Sequence, residues 1–445
     1  MPETILIRNG IVITLDDRER IFEDGAILIE DDRIVAVGAT EKVGKETKPD
    51  TLIDARKRVV LPGFINTHLH SGLTRGTAED LPLWEWLRRH VDPKHKALKS
   101  DDAYAAASLC YVEMIKAGVT CGLDMYRFMD RCADAAEETG IRAVLAPYVA
   151  DKPGFEYFEN LADNERLIRD RNGSANSRIN VWVGLEHLVY CTQNAFHKAR
   201  ELAAEYGTGI HTHGEESLEM YQRLSKEYGK GPVEIFRDYG ILGQKTVLAH
   251  CVWLSPIEIE ILAKTGTSVA HCPVSNMKLA SGVAPIPELI RRGVNVSLGS
   301  DGVKENNRLD LIQEMKFASL LQKVHHLDAT LLPAEQALRM ATVNGAKALG
   351  MEEQIGSLTA GRKADIVILD LNKPHLTPLL LGEFSNVIPN VVFAAQGSDV
   401  ETVLIDGKIV MENRVLQTVD EEEIIARASR VTYDLLERRK PFVPD

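Results

Sequence analysis

The feature that most constrains the fold is a regular alternation of apolar, strand-like segments with longer helical segments between residues 61 and about 360. The candidate strands are Val59–Ile65, Ile141–Tyr148, Ile179–Leu185, Gly209–His213, Thr246–His250, Ser268–His271 and Val294–Ser300. Helical periods, for example Asp101–Ala117 and Gln193–Tyr206, lie between them. This alternation predicts an α/β fold with parallel strands, and a closed, TIM-like (β/α)₈ barrel is the usual form at this size. An open doubly wound sheet is the alternative, although no Gly-x-Gly-x-x-Gly fingerprint follows an early strand.

Short β-rich segments at both ends of the chain predict a second, smaller domain. Turn signals at Asn9-Gly10, Asp24-Gly25 and Asp31-Asp32 divide the first sixty residues, and Asp406-Gly407 predicts a hairpin in the tail. Since neither end alone could bury a core, we expect both to join in one small β-sandwich. The expected domains are residues 1–60 (first part of the sandwich), 61–360 (barrel) and 361–445 (second part, ending in a helix from about Asp420 to Arg439).

Composition disfavours several classes of partner. The formal net charge of −13 argues against a polyanion such as nucleic acid. No apolar run approaches the roughly 18 residues of a membrane span, and the start MPETILIRNG lacks the features of a signal peptide. The six cysteines form no Cys-x-x-Cys pair, which is typical of a reducing compartment. We therefore expect a cytoplasmic homo-oligomer with neither nucleic acid nor membrane as partner.

Polar residues stand at the ends of the predicted barrel strands. They are His68, His70, His213, His250, His271 and Asp301. His68 and His70 are two positions apart on one strand, so their side chains point to the same side. In a barrel the carboxyl ends of the strands meet on one face. A lone histidine is more often structural, but several buried polar groups without partners would each cost roughly 1–3 kcal/mol. A shared metal ion would remove that cost.

Imidazole nitrogens with one carboxylate suit Zn²⁺ best, with Fe²⁺ as the alternative. A catalytic zinc ion keeps one position for water and lowers the pKa of that water to about 7. The pattern therefore predicts metal-assisted hydrolysis.

Several motifs together resemble the amidohydrolase superfamily, and in particular its branch of methylthioadenosine/S-adenosylhomocysteine deaminases and s-triazine hydrolases. These motifs are His68-x-His70, His213 with Glu216, His250, Cys272-Pro-Val-Ser-Asn after His271, and Gly299-Ser300-Asp301-Gly302. Further similar segments are Leu61-Pro62-Gly63-Phe64, Arg75-Gly76, Ala78-Glu79-Asp80-Leu81, Pro285 and Ile355-Gly356-Ser357-Leu358. The resemblance spans nearly the whole chain.

The resemblance implies a metal site and a set of catalytic residues. The implied ligands of a divalent metal ion, zinc before iron, are His68, His70, His213 and Asp301. His211 lies on the same strand face, but only His213 has the family's Glu three positions later. The implied catalytic residues are Asp301, which accepts a proton from the attacking water, Glu216, which protonates a ring nitrogen, and His250, which polarises the attacking oxygen.

Three neighbouring residues receive weaker assignments. His271 is expected to orient water or a neighbour of the metal ligands, and a structural role is as good a reading. Glu215 is expected to be a solvated charge at a helix start. Binuclear relatives carry a bridging carboxylated lysine at the end of the fourth strand, where Val181–His187 has none. We therefore expect one metal ion per chain. The resemblance to the deaminases implies a substrate contact at His187.

The chain departs from the nucleoside-deaminase pattern at two positions. Nucleoside-type members carry a ribose-binding Glu where His95 stands, and members that take S-adenosylhomocysteine use arginines near the stretch that here contains Pro147. These departures favour a compact ring held by Trp86, His95, His187 and Glu216.

The function expected is a zinc-dependent hydrolytic deaminase or related ring hydrolase. Its substrate would be an amino- or chloro-substituted nitrogen heteroaromatic such as an s-triazine, pyrimidine, pterin or purine. The first alternative is a methylthioadenosine, S-adenosylhomocysteine or adenosine deaminase. Cyclic-amide hydrolysis, as in dihydropyrimidinases, is disfavoured by the missing lysine. A non-catalytic binding protein on the same barrel is disfavoured because the ligand set and Glu216 are intact.

Overall fold

The structure, a computed structural model, describes residues 3–43, 48–77 and 80–444. Two residues of the motif Ala78-Glu79-Asp80-Leu81, namely Ala78 and Glu79, lie outside the described residues. The strands are β1 Thr4–Ile13, β2 Ile21–Glu30, β3 Arg33–Ala39, β4 Thr51–Asp54, β5 Arg58–Pro62, β6 Phe64–Leu69, β7 Val119–Tyr126, β8 Arg142–Pro147, β9 Ile179–Val181, β10 Val183–Gly184, β11 Ile210–Gly214, β12 Thr246–His250, β13 Ser268–His271, β14 Val296–Leu298, β15 Ile366–Asp370, β16 Val400–Ile405, β17 Lys408–Glu412 and β18 Val415–Leu416.

The α-helices alternate with the strands of the central part. They span Leu83–Trp86, Asp92–Ala97, Ser100–Lys116, Met129–Thr139, Leu161–Arg171, Ser174–Ser177, Gln193–Tyr206, Leu218–Tyr228, Pro232–Tyr239, Pro256–Thr265, Pro273–Lys278, Ile286–Arg291, Leu311–His326, Ala334–Met340, Val343–Ala348, Val387–Pro389 and Glu421–Arg438. Two π-helical turns span Leu87–Val91 and Asn390–Ala394, and 3₁₀ turns span Pro374–Leu376, Gly382–Phe384, Gly397–Asp399 and Lys440–Phe442. Within the residues that the structure describes, no helix is long and apolar enough to cross a membrane.

The sequence sets the ends of the central helices. The helix Pro256–Thr265 begins with Ser255, whose hydroxyl accepts a bond from the backbone N–H of Glu258, while the Glu258 carboxylate accepts one from Ser255 N. This reciprocal pair satisfies N–H groups that the first turn leaves open. The helix ends at Gly266, whose φ of 73° is the left-handed conformation that glycine adopts at low cost.

Nine strands of the central part lie in two parallel sheets, β6-β7-β8-β9 and β10-β11-β12-β13-β14. The strands follow one another in chain order, without the reversal that marks a doubly wound sheet. In the described residues single backbone bonds, and not a continuous ladder, connect the sheets: Trp182 N donates to Leu145 O at 2.9 Å, and Asp301 N donates to His68 O at 3.0 Å. The fold is of the α/β, TIM-barrel type, and helices cover the strands.

The two ends of the chain share one nine-stranded sheet, in the order β18-β17-β16-β15-β5-β1-β2-β3, with β4 beside β1. β15 pairs antiparallel with β5, so residues more than 300 positions apart are neighbours in this sheet. Its apolar side chains pack in a cluster of their own, which includes Ile7, Val60 and Ile366.

Two of the turns expected near the N-terminus are wrong. β1 runs through Asn9-Gly10, where the pairing register shifts, and β2 runs through Asp24-Gly25. Asn9, with a φ of 64°, is accommodated in a bulge and not in a reversal of the chain. The turns at Asp31-Asp32 and Asp406-Gly407 are confirmed, because each separates two paired antiparallel strands.

Candidate active site

Four predicted metal ligands meet at the carboxyl ends of β6, β11 and β14. His68 Nε2 and His70 Nε2 lie 3.5 and 3.4 Å from Asp301 Oδ1, and His70 Nε2 lies 3.2 Å from His213 Nε2. All four side chains are buried. They come from residues up to 233 positions apart, and the parallel strands bring them to one point.

Hydrogen bonds orient each imidazole from behind. His70 Nδ1 donates to Met125 O at 2.7 Å, and His213 Nδ1 donates to Glu186 O at 2.6 Å. A carbonyl oxygen only accepts, so in a neutral ring each Nε2 carries the free lone pair. Burial lowers the pKa of both imidazoles well below the ordinary value, which favours the neutral form. The pair therefore presents two lone pairs to the same point.

His211 serves as an orienting partner and not as a fifth converging ligand. Its Nδ1 donates to Val247 O at 2.9 Å, and its Nε2 therefore accepts from His68 Nδ1 at 2.8 Å. Both ring nitrogens of His211 are engaged by the protein. The arrangement leaves His68 Nε2 as a buried lone pair with no partner among the described residues. This geometry supports the choice of His213 over His211.

The residues fit a divalent metal ion. Three Nε2 lone pairs and one carboxylate oxygen converge in a buried space, and without a cation they repel one another at short range. His68, His70 and Asp301 offer ligand atoms within 4.8 Å of one another, and so do His68, His213 and His250. Each His carries the hydrogen-bonded support on its far nitrogen that metal-binding histidines commonly have.

His250 and Asp301 are held in a strained backbone conformation beside this point. Their φ angles are 69° and 61°, a left-handed region that costs non-glycine residues about 1–3 kcal/mol. His250 Nδ1 bonds Asn276 Oδ1 at 3.0 Å and its Nε2 faces Asp301 Oδ2 at 3.9 Å. Ser275 Oγ donates to the same Oδ2 at 2.6 Å. The strain sets the directions of two side chains that the sequence predicts to be catalytic.

Glu216 lies on the wall of the cavity that opens beside these residues. Burial raises the pKa of its carboxyl group, and Asp301 and Glu305 act in the same direction while His250 opposes them. A carboxyl group whose pKa is raised toward neutrality is suited to take up and return a proton.

The structure places the predicted substrate-binding residues Trp86, His95 and His187 on the wall of the same cavity. His187 Nδ1 accepts from Val189 N at 3.1 Å, and burial lowers the pKa of the ring to about 3. The neutral ring therefore carries its proton on Nε2, a donor without a partner among the described residues. His187 can thus donate a hydrogen bond into the cavity.

The structure also places His271 and Glu215, the two residues with weaker predictions. His271 is buried beside His250 and does not line the cavity, and neither of its ring nitrogens has a partner in the described part of the chain. The expectation that Glu215 is solvated is wrong. Its side chain is fully buried, and its Oε1 accepts from Val233 N at 2.7 Å. The charge pattern of the sequence carried no sign of this distant partner.

Sequence reasoning missed six polar residues of the cavity wall. They are Asp92, Tyr148, Glu186, Tyr190, Lys304 and Glu305. The position of Glu186 directly before His187, shortly after the end of β10, was an available signal, as was the position of Lys304 and Glu305 shortly after Asp301.

Residues 59–410 match the Amidohydrolase family. The chain belongs to this family. It is therefore a metal-dependent hydrolase that acts on carbon–nitrogen bonds, and the converging His and Asp side chains offer a group of ligand atoms that could hold a divalent metal ion.

Curated relatives align over nearly the full length. The chain is 42% identical to the 5′-deoxyadenosine deaminase of Methanosarcina mazei, covering 98% of this chain and 99% of the relative. It is 39% identical to the 5-methylthioadenosine/S-adenosylhomocysteine deaminase of Thermoanaerobacter pseudethanolicus, covering 98% and 100%.

Solved structures with the same fold contain zinc. An adenosine deaminase from Xanthomonas campestris with bound zinc superposes with a TM-score of 0.92 at 30% identity, covering 98% of this chain and 100% of the other. The atrazine chlorohydrolase from Arthrobacter aurescens, complexed with zinc, gives a TM-score of 0.88 at 26% identity, covering 96% and 99%.

Proposed function

We propose that the chain is a zinc-dependent hydrolytic deaminase that releases ammonia from an amino-substituted nitrogen heteroaromatic ring. The observation that carries this proposal is the convergence of His68, His70, His213 and Asp301 on one point beside the half-buried Glu216. One zinc ion per chain, held by these four side chains, is the metal proposed. No lysine stands between Val181 and His187 to bridge a second ion. When bound, the ion supplies Lewis acidity that makes water nucleophilic near neutral pH.

The chain's own residues divide the proton transfers between them. Asp301 Oδ2, which faces His250, accepts the proton that the water loses as its oxygen adds to the ring carbon. Glu216 delivers a proton to the neighbouring ring nitrogen, so that negative charge does not build up on the ring. His250, when protonated on Nε2, stabilises the new oxygen. The carbon–nitrogen bond then breaks as the amine takes the proton held by Asp301 and leaves as ammonia. The new hydroxyl returns a proton to Glu216, and a ring carbonyl remains.

The first substrate candidate is an adenine nucleoside of the 5′-deoxyadenosine or methylthioadenosine type. Relatives with this named activity align over almost the whole chain, and the cavity carries carboxylates at positions other than residue 95 that could bind a sugar. A compact ring is the second candidate. It is favoured by His95, which stands where a ribose-binding Glu is expected, and by the absence of arginine from the cavity wall within the described residues.

A kinetic panel tests this proposal. Ammonia release is measured with 5′-deoxyadenosine, methylthioadenosine, S-adenosylhomocysteine, melamine and an aminopterin-type ring, with zinc-loaded enzyme at neutral pH. We expect S-adenosylhomocysteine to have the lowest kcat/KM of the nucleosides, because no arginine meets its carboxylate; lost polar partners can cost up to about 10⁴-fold. Failure to release ammonia from every substrate would refute the deaminase assignment, and efficient turnover of melamine alone would establish the compact ring.

We further propose that the two parallel sheets form one closed barrel at residues 61–360 and that residues 1–60 and 361–445 form a β-sandwich beside it. The single bonds between β8 and the β9–β10 segment and between β6 and the end of β14 support this closure. A cytoplasmic location is proposed because all six cysteines are buried and unpaired. The formation of a homo-oligomer stays a prediction, and light scattering can test it.

A further inference from the structure

Buried polar atoms without partners are rare in proteins, so each one invites an explanation. Two carboxylate oxygens of the cavity wall are of this kind: Glu186 Oε2 and Glu305 Oε2 have no partner among the residues that the structure describes. The reaction proposed above uses Glu216 and Asp301 for its proton transfers and leaves no step for these two groups.

The backbone beneath Glu186 is fixed at two points. Its N–H donates to Val149 O at 3.0 Å, and its carbonyl accepts from His213 Nδ1 at 2.6 Å. The same residue thus orients a proposed metal ligand through its backbone and presents an acceptor to the cavity through its side chain. A side chain on such a rigid base can hold a ligand in a defined place relative to the metal site.

Glu305 is fixed in a different way. Its Oε1 accepts from Lys304 Nζ at 2.7 Å, and Lys304 in turn lies over the ring of Trp86, with Nζ 5.7 Å from the ring centroid. The carboxylate lies against Gly302, where an added Cβ would clash with Oε2. Lys304 therefore occupies one oxygen, and the second oxygen remains available to a ligand.

We propose that Glu186 and Glu305 are the substrate-recognising carboxylates of this enzyme, each accepting a hydrogen bond from a donor group of the substrate other than the leaving amine. The substrate must then carry at least two such donors. The vicinal hydroxyls of a ribose satisfy this requirement, and so do the further amino groups of a polyamino ring. This inference rests on the proposed function.

The experiment combines changes in the enzyme with changes in the substrate. Glu186→Gln and Glu305→Gln are compared with wild type and with Glu156→Gln, a control on the exposed loop after β8 whose side chain does not line the cavity. Adenosine, 2′-deoxyadenosine and 3′-deoxyadenosine form one substrate series; melamine and 2,4-diamino-1,3,5-triazine, which keeps one amino group besides the leaving one, form the other. Metal content and thermal unfolding are measured for each variant. Glu186→Asp and Glu305→Asp provide second variants in which the carboxyl group is kept but lies one methylene farther from the ligand.

We expect each Gln variant to raise KM about 10- to 100-fold for a substrate with both donors, with kcat within a few-fold, because a hydrogen bond between the carboxyl group and a substrate donor is lost. Removing the matching donor from the substrate should abolish the effect of one variant and leave that of the other. If this non-additivity occurs in the nucleoside series, the carboxyl groups bind sugar hydroxyls. If it occurs in the triazine series, they bind ring amino groups. Either result supports the proposal.

Unchanged KM values in both Gln variants, or equal shifts for all substrates of a series, would overturn the recognition role. Absence of ammonia release by wild-type enzyme from every substrate would instead refute the proposed function, so the two failures are distinguishable.

Discussion

The polar groups on two sides of the cavity differ in their hydrogen bonding. The metal wall comprises the cavity-lining residues His70, His213, His250 and Asp301 together with His68, whose ring centroid lies 4.5 Å from that of His70. The far side of each of these side chains has a hydrogen-bond partner. On the recognition wall, formed by His95, Glu186, His187 and Glu305, four side-chain atoms (His95 Nδ1, Glu186 Oε2, His187 Nε2 and Glu305 Oε2) have no partner among the described residues.

The difference separates two tasks of one site. The groups proposed to hold a metal ion and move protons are fixed before any ligand arrives, and such fixing lowers the cost of reorganisation during a reaction. Groups that recognise a substrate keep their hydrogen-bonding capacity free until it binds, and an incorrect ligand then leaves them unpaired at a cost. We expect substitutions on the metal wall to affect metal content and kcat, and substitutions on the recognition wall to affect KM.

The largest effect is expected when substitutions of His213 and His211 are compared. His213→Ala removes a converging Nε2, so we expect loss of bound zinc and of measurable turnover. His211→Asn removes only the group behind His68, and such supporting partners typically contribute 10- to 100-fold to metal affinity or activity. Elemental analysis and a zinc titration with a competing chelator measure both. If His211→Asn lost the metal while His213→Ala kept it, the proposed ligand set would be wrong.

Glu216→Gln sharpens the comparison within the cavity. The amide cannot shuttle a proton, so kcat should fall roughly 10²- to 10⁴-fold. Zinc content should stay at one ion per chain, because the carboxylate is not needed to hold the metal. Turnover and metal content are measured on the same preparation. Near wild-type turnover of an aminated substrate would remove Glu216 from the mechanism.

The smallest expected effect concerns Lys94, a buried lysine behind the recognition wall. Its Nζ donates to Thr74 Oγ1 at 2.7 Å and to Thr77 Oγ1 at 3.2 Å, and burial lowers its pKa to about 7, with Lys304 and Arg439 acting in the same direction. The folded pKa lies below the unfolded value near 10.4, so between these values the unfolded chain binds more protons. The contribution of Lys94 to stability should therefore rise with pH by roughly 1 kcal/mol per unit above pH 7.

Urea unfolding of wild type and Lys94→Met at pH 7, 8 and 9 measures this contribution. The difference in unfolding free energy between the two proteins should change with pH in favour of wild type. A difference that stays constant over this range would show that Lys94 is protonated in the folded protein throughout.

Sequence periodicity was sufficient to predict those strands and helices whose apolar pattern is uniform. The helix Gln193–Tyr206 has the predicted bounds, and strands such as Thr246–His250 end at the predicted histidines. β7, Val119–Tyr126, was not predicted because Gly122 and Asp124 interrupt its apolar pattern. Asp124 is fully buried, and its charge is satisfied by Ser71 and by Tyr111, partners that only the tertiary structure brings close.

The functional site likewise contains residues that the sequence predicts and residues that it does not. The motifs His68-x-His70 and His213 with Glu216 predict which side chains the fold brings to one point, since strand ends meet in a parallel barrel. Glu186 and Glu305 belong to no spacing pattern, and their importance appears only when their unpaired oxygens are seen in one cavity. Local sequence does not encode the absence of a partner.

The shared terminal sheet has a consequence for the synthesis of the chain. β5 leaves the ribosome early, with the apolar residues Val59, Val60 and Leu61 in sequence, but its neighbour β15 follows about 300 residues later. At elongation rates of about 5–20 residues per second, one edge of β5 stays open for roughly 15–60 s. An open apolar edge invites pairing with another nascent chain. Aggregation during translation should therefore depend on how well the early strands are shielded until β15 emerges.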